Sequence, residues 1–163
     1  VCVRCFRTRR SSDLNVIIDL WDSSEDFESS FQAVDIALHR GFGACITTPM
    51  APSIVYLLSA RKIMSKREAH AAFGKIMDMF ELLDVTATDC RLAHEKGKGD
   101  FEDDLIAWAA YRHGVDFIVT RNKRDFAKSP VPALAPQEFA DIYRPHDLEY
   151  ETIDWPETGG LAI

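Results

Sequence analysis

Short apolar blocks alternate with longer amphipathic segments along this chain. The amphipathic segments carry apolar residues at helical spacing, whereas the short blocks are bounded by glycine, proline or polar residues, which is typical of strands. The pattern predicts helices at 27–38, from Pro49 or Pro52 to 58, and at 65–83, 89–96, 100–113 and 136–143, and strands at 44–48, 85–88, 117–119 and 130–134. Strands that alternate with helices predict an α/β fold with a central, mainly parallel sheet.

The two ends of the chain depart from this alternation. Residues 1–12 pass from an alternating stretch into a basic, serine-containing one, and are predicted as an N-terminal arm or a displaced edge strand. Residues 13–143 hold the alternating elements and are predicted as one domain. Residues 144–163 are acidic and are predicted as a C-terminal tail that lies on the surface.

Composition limits the class of protein. A chain of 163 residues with 47% hydrophobic residues can bury one core, and no apolar run is long enough to cross a bilayer. Its four cysteines form no evident disulfide framework, which predicts a cytoplasmic protein. The net charge of −7 argues against coating nucleic acid through bulk charge. It is compatible with a nucleic-acid enzyme, because carboxylates that bind divalent cations make the chain acidic.

A polar string directly follows the apolar strand at 117–119. It reads Thr-Arg-Asn-Lys-Arg-Asp at 120–125, and ligands of open parallel sheets bind just beyond the carboxyl ends of the strands. We therefore expect Thr120, Asn122 and Asp125 to lie at a functional edge. The basic residues of this segment either hold substrate phosphates or form a solvated loop, and the sequence leaves both interpretations open.

Three acidic strings lie at predicted element boundaries, at 13–19, 100–104 and 122–125. Carboxylates brought together repel one another unless a cation neutralises them, so a shared site predicts Mg²⁺ or Mn²⁺. Such ions activate water and stabilise the charge that develops on a phosphodiester. The alternative is structural, since Asp100 and Asp103 have the spacing of a helix-capping pair and Asp125 suits a turn.

The same three strings resemble those of the PIN domain family of metal-dependent nucleases. D-L-N-V-I-I-D at 13–19, D-F-E-D-D-L-I-A at 100–107 and I-V-T-R-N-K-R-D-F at 118–126 match its motifs in order, and the resemblance extends over about 13–139. It implies a three-layer α/β/α fold and cleavage of RNA with Mg²⁺ or Mn²⁺. It also implies a bacterial VapC-type toxin with an antitoxin partner, in a family where homodimers are usual.

Site residues are carried over from the resemblance by position. Asp13, Asp103 and Asp125 match the catalytic, metal-binding carboxylates, and Asp100 matches a further metal-binding acid of one branch. The residues assigned to the substrate are Thr120, Arg121, Asn122, Lys123 and Arg124.

One departure divides the functional prediction in two. The family places a glutamate in the helix after its second strand, and Ser53 stands at that position here. Serine brings a neutral oxygen but no negative charge. The first interpretation is a Mg²⁺- or Mn²⁺-dependent ribonuclease; the alternative is a catalytically impaired module that binds RNA or a protein partner without cleavage.

Overall fold

The structure, a computed structural model, describes residues 9–12, 14–21, 25–61, 63–97 and 99–150, with the backbone alone at 9–12 and 14. These residues form five strands and seven helices. The strands are β1 (Arg9–Ser12), β2 (Ala44–Thr47), β3 (Glu81–Leu83), β4 (Val115–Val119) and β5 (Ala133–Leu134). The helices are α1 (Leu14–Ile18), α2 (Phe27–His39), α3 (Met50–Ala60), α4 (Lys66–Met79), α5 (Ala87–Lys96), α6 (Phe101–Arg112) and α7 (Pro136–Tyr143).

The sheet is parallel throughout, with the strand order β3-β2-β1-β4-β5. The chain steps from β1 to β2 to β3 in one direction and then crosses back to β4 on the other side of β1. Parallel crossovers are right-handed, so connections that run in opposite directions lie on opposite faces of the sheet. α5 and α6 therefore cover one face, and α2, α3 and α4 the other. The predicted three-layer α/β/α fold is confirmed.

The hydrophobic core lies on both faces of this sheet. All four residues of β2 are buried, as expected for a parallel strand that helices cover on two sides. On one face, α2, α3 and α4 contribute the fully buried Ile36, Ile54 and Ile76, and on the other face α6 contributes the buried Ile106. Full burial of each such side chain stabilises the fold by about 2 kcal/mol.

The prediction for residues 9–12 is wrong. They form β1, the central strand, which pairs with β2 on one side and β4 on the other, rather than an arm or an edge strand. A central strand is normally apolar, whereas this one reads Arg-Arg-Ser-Ser, so no hydrophobic pattern indicated it. Residues 1–8 lie outside the described residues, and the proposed domain boundaries stay predictions.

The predicted helix at 65–83 is too long, and the predicted strand at 85–88 is wrong. α4 ends at Met79, Phe80 is extended, and β3 follows as a three-residue edge strand beside β2. So short a strand has no period that distinguishes it from a last helical turn. Thr86 instead caps α5, because its hydroxyl accepts from the backbone N–H of Asp89 in a capping box.

The described part of the C-terminal segment, residues 144–150, packs against α2. Arg144 donates from Nη2 to Gln32 Oε1 at 2.6 Å, and the Tyr150 hydroxyl donates to Asp35 Oδ2 at 2.7 Å. Burial and the hydrogen bond to Asp35 raise the pKa of the Tyr150 phenol. The segment is therefore held to the domain up to Tyr150, and residues 151–163 lie outside the described part of the chain.

The cysteines differ from the prediction at one position. Cys45 on β2 is disulfide-bonded, so the expectation that the cysteines form no disulfide is wrong for this residue. Cys90 is a free, exposed thiol. The cysteine argument for a reducing compartment loses this support, and a cytoplasmic location stays a prediction. Across the described segments, no helix combines the length and the apolar character needed to span a membrane.

A buried carboxylate joins α5 to α6. Asp89 has no exposed surface, and the Arg112 Nε donates to both of its oxygens at 3.0 Å. Burial disfavours the carboxylate, but hydrogen bonds from Arg112 and Thr86 outweigh it and hold the pKa of Asp89 below its usual value. The stability that this contributes is present above about pH 4 and is lost as the pH falls through the folded-state pKa.

We expect Arg112→Ala to lower the free energy of unfolding by about 2 kcal/mol, because a buried carboxylate loses a charged donor. Urea unfolding at pH 7 measures this change. Arg91→Ala, at an exposed position on α5, is the matched control and should leave stability nearly unchanged. Equal effects of the two substitutions would show that the Asp89 contact contributes nothing specific.

Candidate active site at the carboxyl edge of the sheet

The predicted site residues follow strands that lie side by side. β1 and β4 are neighbours, and Ser12 pairs with Val119 in their register. Asp13 and Thr120 are the next residues in the sequence after these two. Asp13 itself lies outside the described residues. The carboxyl ends of β1 and β4 nevertheless meet at one edge, which is where ligands of open parallel sheets bind.

Thr120 is buried completely and fixes the chain as it leaves β4. Its backbone N–H donates to Leu134 O at 2.9 Å, which links the end of β4 to β5. Its hydroxyl oxygen accepts from the backbone N–H of Asn122, also at 2.9 Å. Thr120 thus shapes the loop from within, and its predicted contact with substrate stays a prediction.

Asn122 and Asp125 close the turn that follows. The Asn122 side chain donates from Nδ2 to Asp125 Oδ2, and the backbone N–H of Asp125 donates to Asn122 O at 3.2 Å. Both side chains are exposed. This is the turn geometry that Asn and Asp favour, and it presents the Asp125 carboxylate at the surface of the carboxyl edge.

The start of α6 carries the second acidic string. Asp100 is the N-cap, and its Oδ1 accepts from the backbone N–H of Glu102 at 2.8 Å, so capping accounts for one of its oxygens. Asp103 and Asp104 are half-buried in the first turn, where the helix dipole favours negative charge. Asp104 Oδ2 also accepts from the backbone N–H of Gly99 at 3.1 Å.

A polar cavity of about 240 Å³ joins the start of α6 to the loop after β4. The segment before α6 and the loop after β4 approach each other closely, since a Cβ added at Gly99 would lie 3.3 Å from the backbone oxygen of Asp125. The cavity is lined by Gly99, Asp104, Arg124, Asp125, Ala127 and Lys128. The structure therefore brings together two of the three acidic strings through Asp104 and Asp125, whereas the predicted Asp100 and Asp103 are not among the residues that line the cavity. Asp104 was not predicted as a lining residue, although it stands four residues after Asp100 on the same helix.

The described residues alone do not assemble a metal centre. Among them, no group of three or more His, Cys, Asp or Glu side chains lies close enough to hold an ion. Asp13, the remaining member of the predicted set, is outside the described part of the chain. The chemistry of the donors nevertheless fits Mg²⁺ or Mn²⁺, because the acidic strings supply hard carboxylate oxygens on both sides of the cavity.

Two of the predicted substrate-binding cations are engaged within the protein. Arg121 donates from Nη1 to Asp19 Oδ1 at 2.7 Å and lies 3.2 Å from Asp26 Oδ2. Lys123 donates to the Glu138 carboxylate at 2.7 and 2.8 Å. The hydrogen bond from Lys123 holds the pKa of Glu138 below its usual value.

Arg124 and Lys128 differ from that pair. Both are exposed and line the cavity beside Asp125. Neither forms a side-chain hydrogen bond or an ion pair with the described residues. A phosphate that enters the cavity would meet these two cations without breaking an ion pair. Lys128 lies three residues beyond the string at 120–125 and was not among the residues assigned to the substrate.

Ser53 lies in the first turn of α3, the helix that follows the carboxyl end of β2 in the chain. It is half-buried, and the first turn of α3 contains no acidic residue. The position at which the resemblance implies a glutamate is therefore occupied by a neutral side chain on a regular helix.

These features define a class of protein: an α/β/α domain with an open parallel sheet and a polar, partly acidic cavity at the carboxyl edge. The comparisons with known proteins give the family. The PIN domain family model matches residues 12–124, which is more than half of the chain. The chain belongs to the PIN domain family.

Solved structures with the same fold include two VapBC structures and one toxin–antitoxin complex. VapBC2 from Rickettsia felis, bound to a DNA fragment of its promoter, is 18% identical, with 77% of this chain and 97% of that chain covered and a TM-score of 0.59. A toxin–antitoxin complex from Klebsiella pneumoniae is 19% identical (79% and 98% covered, TM-score 0.59). DNA-bound VapBC from Salmonella typhimurium is 19% identical (79% and 98% covered, TM-score 0.57). No curated protein matches the chain.

Proposed function

We propose that this protein is a Mg²⁺- or Mn²⁺-dependent endoribonuclease, the toxin of a VapC-type toxin–antitoxin pair. The observation that carries the proposal is the polar cavity at the carboxyl edge, where the start of α6 meets the loop after β4. It combines carboxylates with cations that are not engaged in ion pairs among the described residues. Membership of the PIN domain family supports the same activity.

In this proposal Asp13, Asp103 and Asp125 hold the metal ion. Asp100 adds to the set through the carboxylate oxygen that does not cap α6. The ion, when bound, activates a water and stabilises the charge that develops on the phosphodiester. The turn between Asn122 and Asp125 orients the Asp125 carboxylate, and Asp103 lies in the first turn of α6, where the helix dipole favours negative charge.

The RNA backbone is bound chiefly by Arg124, assisted by Lys128. Both cations line the cavity, and phosphate contacts position a nucleic acid without reading its sequence. Asn122 and Thr120 shape the loop that presents Arg124. Arg121 and Lys123 contribute less to binding, because each would first have to leave a carboxylate partner.

A protein partner is part of the proposal, since the structures with this fold are described as VapBC or toxin–antitoxin complexes. A mainly apolar groove of about 530 Å³ between α3 and α4 supports such a contact. Tyr56 on its wall is 67% exposed, and exposed apolar surface often marks protein interfaces. Binding of an antitoxin and formation of a homodimer are both proposed on this basis.

The second candidate function rests on Ser53. A site that lacks one carboxylate binds a divalent cation more weakly, so the alternative is a module that binds RNA or a protein partner without cleavage. The polar cavity serves RNA binding in either case.

Cleavage of a fluorescently labelled single-stranded RNA tests the proposal. We expect products with Mn²⁺ or Mg²⁺, none with EDTA, and recovery when Mn²⁺ is added back. A candidate antitoxin that binds the protein should suppress the reaction. If the folded protein binds the RNA but yields no product at millimolar Mn²⁺, the ribonuclease proposal is wrong and the second candidate, a binding module, takes its place.

A further inference from the structure

Arg121 does not line the cavity although it stands inside the site loop. Its Nη1 donates to Asp19 Oδ1 at 2.7 Å, and Asp19 lies 102 residues earlier in the chain. Asp19 is 1% exposed, whereas the second partner, Asp26, is an exposed residue. The contact with Asp19 is therefore the one that is shielded from water, and it ties the site loop to the turn after α1.

Asp19 needs this contact because a buried carboxylate is costly unless it is paired and hydrogen-bonded. Ser30 Oγ donates to the Asp19 Oδ2 at 2.7 Å, and Arg121 Nη1 donates to its Oδ1. Each oxygen thus has a donor from a different part of the chain. This arrangement holds the Arg121 side chain in one place, since its departure would remove a charged donor from a buried carboxylate.

The backbone of Arg121 lies between the two residues that shape the site turn. Thr120 is tied to β5 through Leu134 and accepts from the backbone N–H of Asn122. Asn122 in turn donates to Asp125. A side chain anchored at Arg121 therefore restricts the segment on which the orientation of Asn122 and Asp125 depends.

We propose that Arg121 is a positioning residue: its ion pair with buried Asp19 fixes the turn that presents Asn122 and Asp125. This inference rests on the proposed function for its consequence in catalysis, but the positioning itself is a property of the free protein. It also reassigns Arg121, because a residue that orients the loop acts through Asn122 and Asp125 rather than through the substrate.

Hydrogen exchange of single backbone amides, followed by NMR, tests the positioning without any activity. In Arg121→Ala we expect the Asn122 amide to exchange about tenfold faster, equal to about 1.4 kcal/mol, with Ile118 in β4 unchanged. Asp19→Asn should give the same increase, and it leaves no buried charge if Arg121→Ala folds poorly. The double variant should add little, because both changes break one contact.

Lys123→Ala is the matched control, since it breaks an exposed ion pair in the same loop that does not reach Asp19. It should leave the Asn122 amide unchanged, and Arg121→Lys should restore part of the protection. Unchanged Asn122 exchange in both Arg121→Ala and Asp19→Asn would overturn the proposal. So would an increase shared equally by the amides of β4, which would indicate general destabilisation.

Kinetics separates positioning from substrate binding if the protein cleaves RNA. Arg121→Ala should lower kcat about tenfold with little change in KM, whereas Arg124→Gln, at the cavity wall, should raise KM. A raised KM with unchanged kcat in Arg121→Ala would make Arg121 a substrate contact and reject the inference. If no RNA is cleaved, the proposed function fails while hydrogen exchange still decides the role of Arg121.

Discussion

Asp103→Asn is expected to lower Mn²⁺-dependent RNA cleavage at least about a hundredfold, because it removes a charged oxygen from the proposed metal site. The amide retains the size of the side chain and its place in the first turn of α6. The fold should therefore persist, with a melting temperature close to that of the wild type. Cleavage rates measured at several Mn²⁺ concentrations give the effect.

Glu102→Gln is the control for this substitution. Glu102 is exposed, adjacent to Asp103 in the sequence and in the same helical turn. Both variants therefore lose one negative charge near the N-terminus of α6, where the helix dipole favours it. We expect the control to cleave RNA within about twofold of the wild type, as for an exposed side chain outside the site. Isothermal titration with Mn²⁺ gives a second readout, in which Asp103→Asn alone should bind weakly. Equal losses in the two variants would reduce the effect of Asp103 to general electrostatics.

The parts of the site that could be predicted are those with a local signal. Asp100 stands immediately before a predicted helix, and it caps α6 as predicted. Gly41 follows α2 with φ +65°, a conformation that glycine adopts without strain, so the predicted end of that helix was also reliable. β4 is a short apolar run before a polar string, and this contrast alone located the carboxyl edge.

The central strand could not be predicted because its signal is not local. β1 is polar in sequence, and only its pairing with β2 and β4 makes it a strand. The motif at 13–19 was recognised, yet the residues before it were assigned to an arm because they lack the apolar pattern of a buried strand. Sheet position, in this case, follows from the neighbours rather than from the strand itself.

The different contacts of the cations in the site loop could not be predicted from the sequence either. Arg121 and Arg124 have the same side chain and lie three residues apart, yet one pairs with buried Asp19 and the other lines the cavity. The partners of Arg121 come from a segment that is distant in the chain, whereas composition assigns both arginines to a phosphate-binding loop. The contact between Arg121 and Asp19, which spans 102 residues, therefore distinguishes the two arginines, and no local pattern indicates it.

Ser53→Glu is expected to raise Mn²⁺-dependent cleavage up to about a hundredfold, the range over which one supporting side chain changes a metal site. The substitution supplies the carboxylate that the resemblance implies in the first turn of α3, a turn without any acidic residue. A glutamate there also suits the helix dipole, so stability should not fall. The Mn²⁺ dissociation constant should fall and the cleavage rate should rise together, since both depend on the same ligand set.

Ser59→Glu is the matched control, because it adds the same charge to the same helix, two positions before its C-terminal cap. It should change neither Mn²⁺ affinity nor cleavage. If the wild type does not cleave RNA and Ser53→Glu does, the natural protein is the binding module on an intact nuclease scaffold. Asp103→Asn introduced into Ser53→Glu should then abolish the gain, which links both residues to one ion. A Ser53→Glu variant that matches the wild type in affinity and rate would show instead that the site functions without a carboxylate on α3.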